Sequence, residues 1–142
     1  MKKNILYFFL LYAITFLCIS CSYTKQNKAR IILDTDFNYD VDDVGAVAML
    51  HALADLGEAE ILVIGISDRQ GKAIFALDAM NTWYNRPDLP IGVVKSKDAA
   101  RYIDLFTEQL ALEYPRTNTH WNSADDAPCV IDVYRKVLAR EP

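Results

Sequence analysis

The chain is expected to fold as an α/β protein on an open, mainly parallel sheet with helices on both faces. Three observations lead there. Short, uninterrupted apolar runs end abruptly at polar residues, as strands buried on both faces do. Each run is followed by a stretch in which apolar residues recur with helical spacing. The alternation leaves room for right-handed crossovers between parallel neighbours.

The first strand is Ala29 to Leu33 (A-R-I-I-L), rich in β-branched residues and closed by Asp34. From Val44 to Leu56 the residues Val44, Val47, Ala48, Leu50 and Leu53 mark a helix, which Asp42 or Asp43 can cap and Gly57 can end. Glu60 to Ser67 (E-I-L-V-I-G-I-S) reads as the second strand, and Lys72 to Tyr84 as a helix stopped by Asn85-Arg86-Pro87. A Pro-Asp-Leu-Pro turn leads into a third strand, Ile91 to Val94. Helical patterns follow at Ala99 to Glu113 and Val130 to Arg140, with a polar loop between them.

The 142 residues are 52% apolar and 24% charged with a formal net charge of −4, which excludes disorder and a basic nucleic-acid footprint. No nucleic-acid partner is expected. Lys2 and Lys3 precede an apolar run from Ile5 to Ile19. That run is shorter than the roughly 20 residues a bilayer span needs, and it suits the core of a signal peptide. Ser20 before Cys21 resembles a bacterial lipoprotein cleavage box. The expected organisation is therefore a signal peptide at 1–20, a lipidated Cys21 opening a polar tether at 21–28, and a domain from 29 to 142. The expected location is the bacterial cell envelope, with membrane contact through the lipid. Losing the first 20 residues removes two lysines and shifts the net charge to −6. Cys129 is then the one cysteine left after Cys21, so the body folds around an apolar core without an internal disulfide.

In parallel sheets ligands collect beyond the carboxyl ends of the strands. The segment there is Asp34-Thr35-Asp36-Phe37-Asn38-Tyr39-Asp40-Val41-Asp42-Asp43, five carboxylates in ten residues. At separations of roughly 5 Å, unscreened like charges cost on the order of a few kcal/mol per pair unless a cation, hydrogen-bond donors or raised pKa values offset them. Helix capping accounts for Asp42 or Asp43 but not for Asp34, Asp36 and Asp40 together. A hard divalent cation accounts for all of them, and oxygen-only donors favour Ca²⁺ or Mg²⁺ over Zn²⁺. An EF-hand fails on spacing, since Tyr39 stands where Gly is required, Gly45 where Glu is required, and a strand precedes the loop. A phosphoryl-transfer reading with a nucleophilic Asp34, an acid-base Asp36 and Mg²⁺ leaves Asp42 and Asp43 unexplained. His51 reads as a packing or surface residue and Met49 and Met80 as core fillers. Trp83 and Tyr84 read as core and boundary residues, and His120-Trp121 as aromatics of a polar loop.

These residues resemble the calcium-dependent nucleoside hydrolases of the inosine-uridine-preferring type, in the branch with a longer Asp-rich loop. The likeness rests first on Asp34-Thr35-Asp36 followed by Asp42-Asp43 at a helix start. The segments E-I-L-V-I-G-I-S, A-L-D-A-M-N-T-W-Y-N-R-P-D-L-P-I-G-V-V-K and S-A-D-D-A-P extend it from about Arg30 to the chain end. The resemblance implies that Asp36 binds Ca²⁺ and is the base for the attacking water, that Asp43 is a second calcium ligand, and that Asp42 holds the ribose hydroxyls. It makes Asp34 a supporting carboxylate behind the ligands. Gln70 takes the place of a substrate-binding Asn, and Asn38 stands where the common form has Gly, a place a left-handed Asn can fill.

The implied reaction is hydrolysis of a nucleoside's N-glycosidic bond to ribose and free base. The partner is then a small nucleoside or ribosyl substrate, and a homo-oligomer is left open for the full-length protein. Family members are more than twice as long as this chain without its leader, and the remaining calcium ligands and the leaving-group histidine lie in their second halves. The chain is accordingly read as the N-terminal part of such a domain, with little hydrolase activity expected from it alone. The alternatives are a noncatalytic, calcium-stabilised ribosyl- or sugar-binding lipoprotein and, third, a Mg²⁺-dependent phosphatase.

Overall fold

Among the described residues, three strands form one parallel sheet in the order β1-β2-β3: β1 is Ala29–Thr35, β2 is Ala59–Ile66 and β3 is Ile91–Val93. Four α-helices among those residues surround it, α1 at Asp42–Asp55, α2 at Ala73–Trp83, α3 at Thr107–Glu113 and α4 at Val130–Leu138, with a 3₁₀ turn at Ala124–Asp126. This computed structural model describes residues 27–38, 40–69, 71–97, 99 and 103–141. The expected signal peptide at 1–20, the lipidation of Cys21, most of the tether and the substrate contact of Gln70 lie outside the described residues. No helix among the described residues is long and apolar enough to cross a membrane.

The small α/β fold matches the expectation, and the strand order explains where each helix goes. Two successive crossovers in the same direction place their helices on one face of the sheet. On that face Ile64, Ile66, Ile91 and Val93 meet Val47 of α1 and Ile74, Phe75 and Leu77 of α2 in one buried cluster. Each such aliphatic side chain contributes roughly 1.5–3 kcal/mol by leaving water. A register shift between Ile31 and Ile32 brings Leu33 opposite Ile64, so β1 adds Leu33 to the edge of that cluster. The opposite face belongs to α4, which packs on β2 and β3. Gly65 and Gly92 make that approach possible: a Cβ on Gly92 would stand 2.8 Å from Val130 Cα, and one on Gly65 would collide with Tyr134. Beyond β3, Cys129 bridges Val93 in parallel and partly covers the sheet edge.

Helix ends follow local chemistry. Helix α1 closes in a Schellman motif, with Gly57 N–H donating to Ala54 O (3.1 Å), Glu58 N–H to Leu53 O (3.0 Å), and Gly57 at φ 77. Its start differs from the expectation. Val41 occupies the N-cap, and Asp42 and Asp43 lie inside the first turn, where the helix dipole favours carboxylates. Helix α3 is shorter than the apolar pattern from Ala99 suggests. Asp104 accepts the N–H groups of Phe106, Thr107 and Glu108 at 3.1, 2.8 and 3.1 Å, and so fixes the helix start at Thr107.

Packing also corrects three side-chain expectations. Met49 is 66% exposed and Trp83 70% exposed, so neither fills the core. Trp121 does, at 8% exposure, because the segment after α3 folds back on α2. Buried Asp78 draws it there, accepting Asn118 N–H at 2.8 Å and the Asn118 side-chain amide at 2.9 Å.

Candidate functional site

The site lies where β1 and β2 end side by side. Thr35 pairs with Ile66, and Thr35 O accepts Ser67 N–H at 2.9 Å and the Ser67 hydroxyl at 3.2 Å. The chain then turns sharply at Phe37, whose φ of 37 lies in the left-handed region. An aromatic residue reaches that region only under constraint. Here its N–H donates to Thr35 Oγ1 (3.1 Å) and Asp43 Oδ2 (2.9 Å), while its fully buried ring meets Phe106 edge-on at 6.2 Å. The left-handed residue is thus Phe37 and not Asn38. Asn38 is buried instead, and its Nδ2 donates to buried Asp68 Oδ2 at 2.6 Å, tying the Asp loop to the end of β2.

Turning at Phe37 sorts the five carboxylates of the loop into separate partnerships. Asp34 points to the α4 face and accepts the Tyr134 hydroxyl at 2.6 Å. Burial, reinforced by that acceptor, pushes the Tyr134 phenol up from its ordinary value. The carboxyl group of Asp43 lies close to that of Asp36. That proximity, then burial, then the Asp43 charge hold Asp36 at about 6. Asp40 and Asp42 form a second, fully solvated pair. The bond from Asp42 raises Asp40, and the same bond together with Asp43 N–H, which donates to Asp42 Oδ1 at 2.9 Å, lowers Asp42.

The structure therefore brings Asp36 and Asp43 together, sets Asp42 beside them on the first turn of α1, and directs Asp34 away toward Tyr134. Two neighbouring carboxylates that, among the described residues, make no ion pair form a hard-oxygen donor set of the kind Ca²⁺ or Mg²⁺ takes. Asp36 and Asp43 fit two positions of such a shell. Among the described residues no group of three or more His, Cys, Asp or Glu side chains is close enough to hold a metal, so further oxygens would have to come from other donors. Asp68 is the site residue that sequence reasoning passed over, its only signal being a polar residue directly after an apolar strand.

The rings of His120 and Trp121 meet in a T-shaped arrangement with centroids 5.8 Å apart, but Trp121 belongs to the core. The S-A-D-D-A-P segment forms a capping box in which Asp126 accepts Asn122 N–H (2.8 Å) and Ser123 N–H (2.9 Å), lowering its pKa. Comparison of the chain with protein-family models, with curated proteins and with solved structures finds no match in any of the three.

Proposed function

We propose that the Asp loop is the calcium- and ribose-binding half of a nucleoside N-glycosidic hydrolase site. The observation that carries the reading is that Asp36, just beyond the first strand, lies near enough to Asp43 on the first turn of α1 for the Asp43 carboxyl to hold its pKa at about 6. Like-charged groups held this close need a compensating cation when both are ionised. Calcium, when bound by Asp36 and Asp43, supplies the positive charge that orients a water and eases loss of its proton.

The residues of the chain then divide the work. Asp36 accepts the proton of the attacking water, as general-base attack at an anomeric carbon requires. Asp43 keeps the loop in shape while presenting its carboxylate, since its Oδ2 also accepts Phe37 N–H at 2.9 Å. Asp42 is exposed at the start of α1, where its carboxylate can accept the ribose hydroxyls. Asn38 and Asp68 hold the loop rigid beneath them.

The test is release of free base from inosine and uridine by the product of the complete reading frame, with calcium and after chelation. Calcium-dependent release abolished by Asp36→Asn is expected. Release of phosphate with Mg²⁺ in place of base with Ca²⁺ would replace this reading with the phosphatase one.

A further inference from the structure

We infer that the open edge of β1 is a self-association surface, on which a second copy of this chain lays its own β1 antiparallel so that the two sheets join into one. This inference stands on the edge of β1 alone and does not depend on the hydrolase reading.

In the order β1-β2-β3, β1 has a neighbour on one side only among the described residues. Strands of parallel sheets are ordinarily covered on both faces. Here α1 packs chiefly on β2, and α4 on β2 and β3. The middle of β1 is left open to solvent, with Ile32 36% exposed and Arg30 and Asp34 exposed on either side of it.

The backbone of this edge is set for a partner. Ala29 N–H donates to Glu58 O at 2.8 Å and Thr35 O accepts Ser67 N–H at 2.9 Å, so these two residues turn their peptide groups toward β2. Ile31 pairs with Ile61 and Ile32 with Val63, which places the extra residue, Leu62, on β2 and leaves the alternation of β1 intact. Arg30, Ile32 and Asp34 therefore turn their N–H and C=O groups to the open edge, where no described residue bonds them. Edges of this kind are commonly blunted by Pro, Lys, a bulge in the edge strand or brevity. The seven residues of β1, A-R-I-I-L-D-T, use none of these devices.

The order of charges along the edge selects a second copy as the partner. In an antiparallel pair centred on Ile32, the two Ile32 residues face each other, and Arg30 of each copy faces Asp34 of the other. All three positions are edge-facing, so each pair exchanges two backbone hydrogen bonds. The three side chains also share one face of the sheet, which makes the opposite charges cross-strand neighbours flanking the exposed isoleucines. Centring the pair on Arg30 or on Asp34 would instead oppose like charges. Both charged groups keep capacity for the contact. Asp34 accepts the Tyr134 hydroxyl through Oδ2 at 2.6 Å and retains Oδ1, and the Arg30 side chain, paired with Glu60 at 3.7 Å and with Glu141, is still 41% exposed.

The experiment measures the protein mass of the full chain by sedimentation equilibrium in density-matched nonionic detergent. The parent is expected to dimerise reversibly. Arg30→Asp leaves two acids on the edge and Asp34→Arg two bases. Each variant is expected to self-associate roughly tenfold more weakly than the parent, since both cross-strand pairs turn from attractive to repulsive. Mixed in equal amounts, the two variants are expected to recover a dimer, because every acid of one then faces a base of the other. Ile32→Pro removes the central outward N–H without touching the β2 ladder. It is expected to be monomeric, and it serves as the test where circular dichroism shows a charge variant unfolded. A monomeric parent, a dimer that none of these substitutions weakens, or folded charge variants that pair no better mixed than alone would overturn the assignment.

Discussion

The Tyr134 hydroxyl donates to Asp34 Oδ2 at 2.6 Å, joining residues 100 positions apart at the mouth of the sheet. It reaches Asp34 across Gly65, which leaves α4 room to lie against β2. Tyr134→Phe removes the donor and keeps the ring, so a loss of about 1–3 kcal/mol is expected for a hydrogen bond to a charged acceptor. Gly92→Ala, whose Cβ would press on Val130 Cα at 2.8 Å, cannot be relieved by a side-chain rotation. An overpacking cost of roughly 1–3 kcal/mol is expected there as well. Urea unfolding followed by circular dichroism measures both.

In calcium-free buffer Asp36 gives stability a particular pH dependence. Its folded value of about 6 lies above the ordinary 3.8, so between these values the folded state binds the extra proton. Stability therefore rises as pH falls through about 6, and the penalty for ionising Asp36 is fully present above it. Asp36→Asn is expected to melt higher than the parent at pH 7.5 without calcium, with the gap closing by pH 5. A gap that stayed constant over this range would show that Asp36 does not titrate near 6 in the folded state.

His51 contributes with the opposite sign. It is fully buried between α1 and α2, with Nε2 at 2.9 Å from Asn81 Oδ1 and its ring stacked on Tyr84 at 4.4 Å. Burial lowers its pKa below 6.5, and the neighbouring Arg86 guanidinium acts in the same direction. The stability it lends is whole above 6.5 and is lost as pH falls from there through its lower folded value. His51→Gln is expected to flatten that acid limb in melts between pH 7 and 5.

Asp78 anchors the segment that follows α3 onto α2. Asp78→Ala leaves the Asn118 backbone and side-chain donors without their acceptor, a loss of about 1–3 kcal/mol for each buried group so exposed. Hydrogen exchange at the Asn118 amide is expected to accelerate more than exchange at amides of β2. Equal acceleration at both would mean that the segment opens only when the whole domain does.

Strands β2 and β3 are legible as short apolar runs that are largely buried, whereas β1, which reads as a buried central strand, is an edge strand with Ile32 36% exposed; Gly57 is legible because a helix end demands its positive φ. The Asp loop as a whole is legible because like charges at such spacing require a physical offset, whereas the choice of Asp36 and Asp43 within it follows only from the resemblance to nucleoside hydrolases. What escaped is set by contacts distant in sequence. Phe37 takes the left-handed conformation expected of Asn38 because its ring has a pocket beside Phe106, and no local propensity encodes that pocket. Trp121 joins the core because Asp78, in another helix, fixes the turn before it. Apolar periodicity from Ala99 concealed the cap at Asp104, and outward-facing Met49 shows that an apolar residue on a helix need not face the sheet.

Calorimetric titration of the full chain with CaCl₂ at pH 7.5, beside Asp36→Asn and Asp43→Asn, tests the central claim most directly. One calcium ion is expected to bind the parent, with affinity reduced at least tenfold in each variant and a calcium-dependent rise in melting temperature that chelation removes. Absence of calcium uptake by the parent, or uptake unchanged by either substitution, would contradict it.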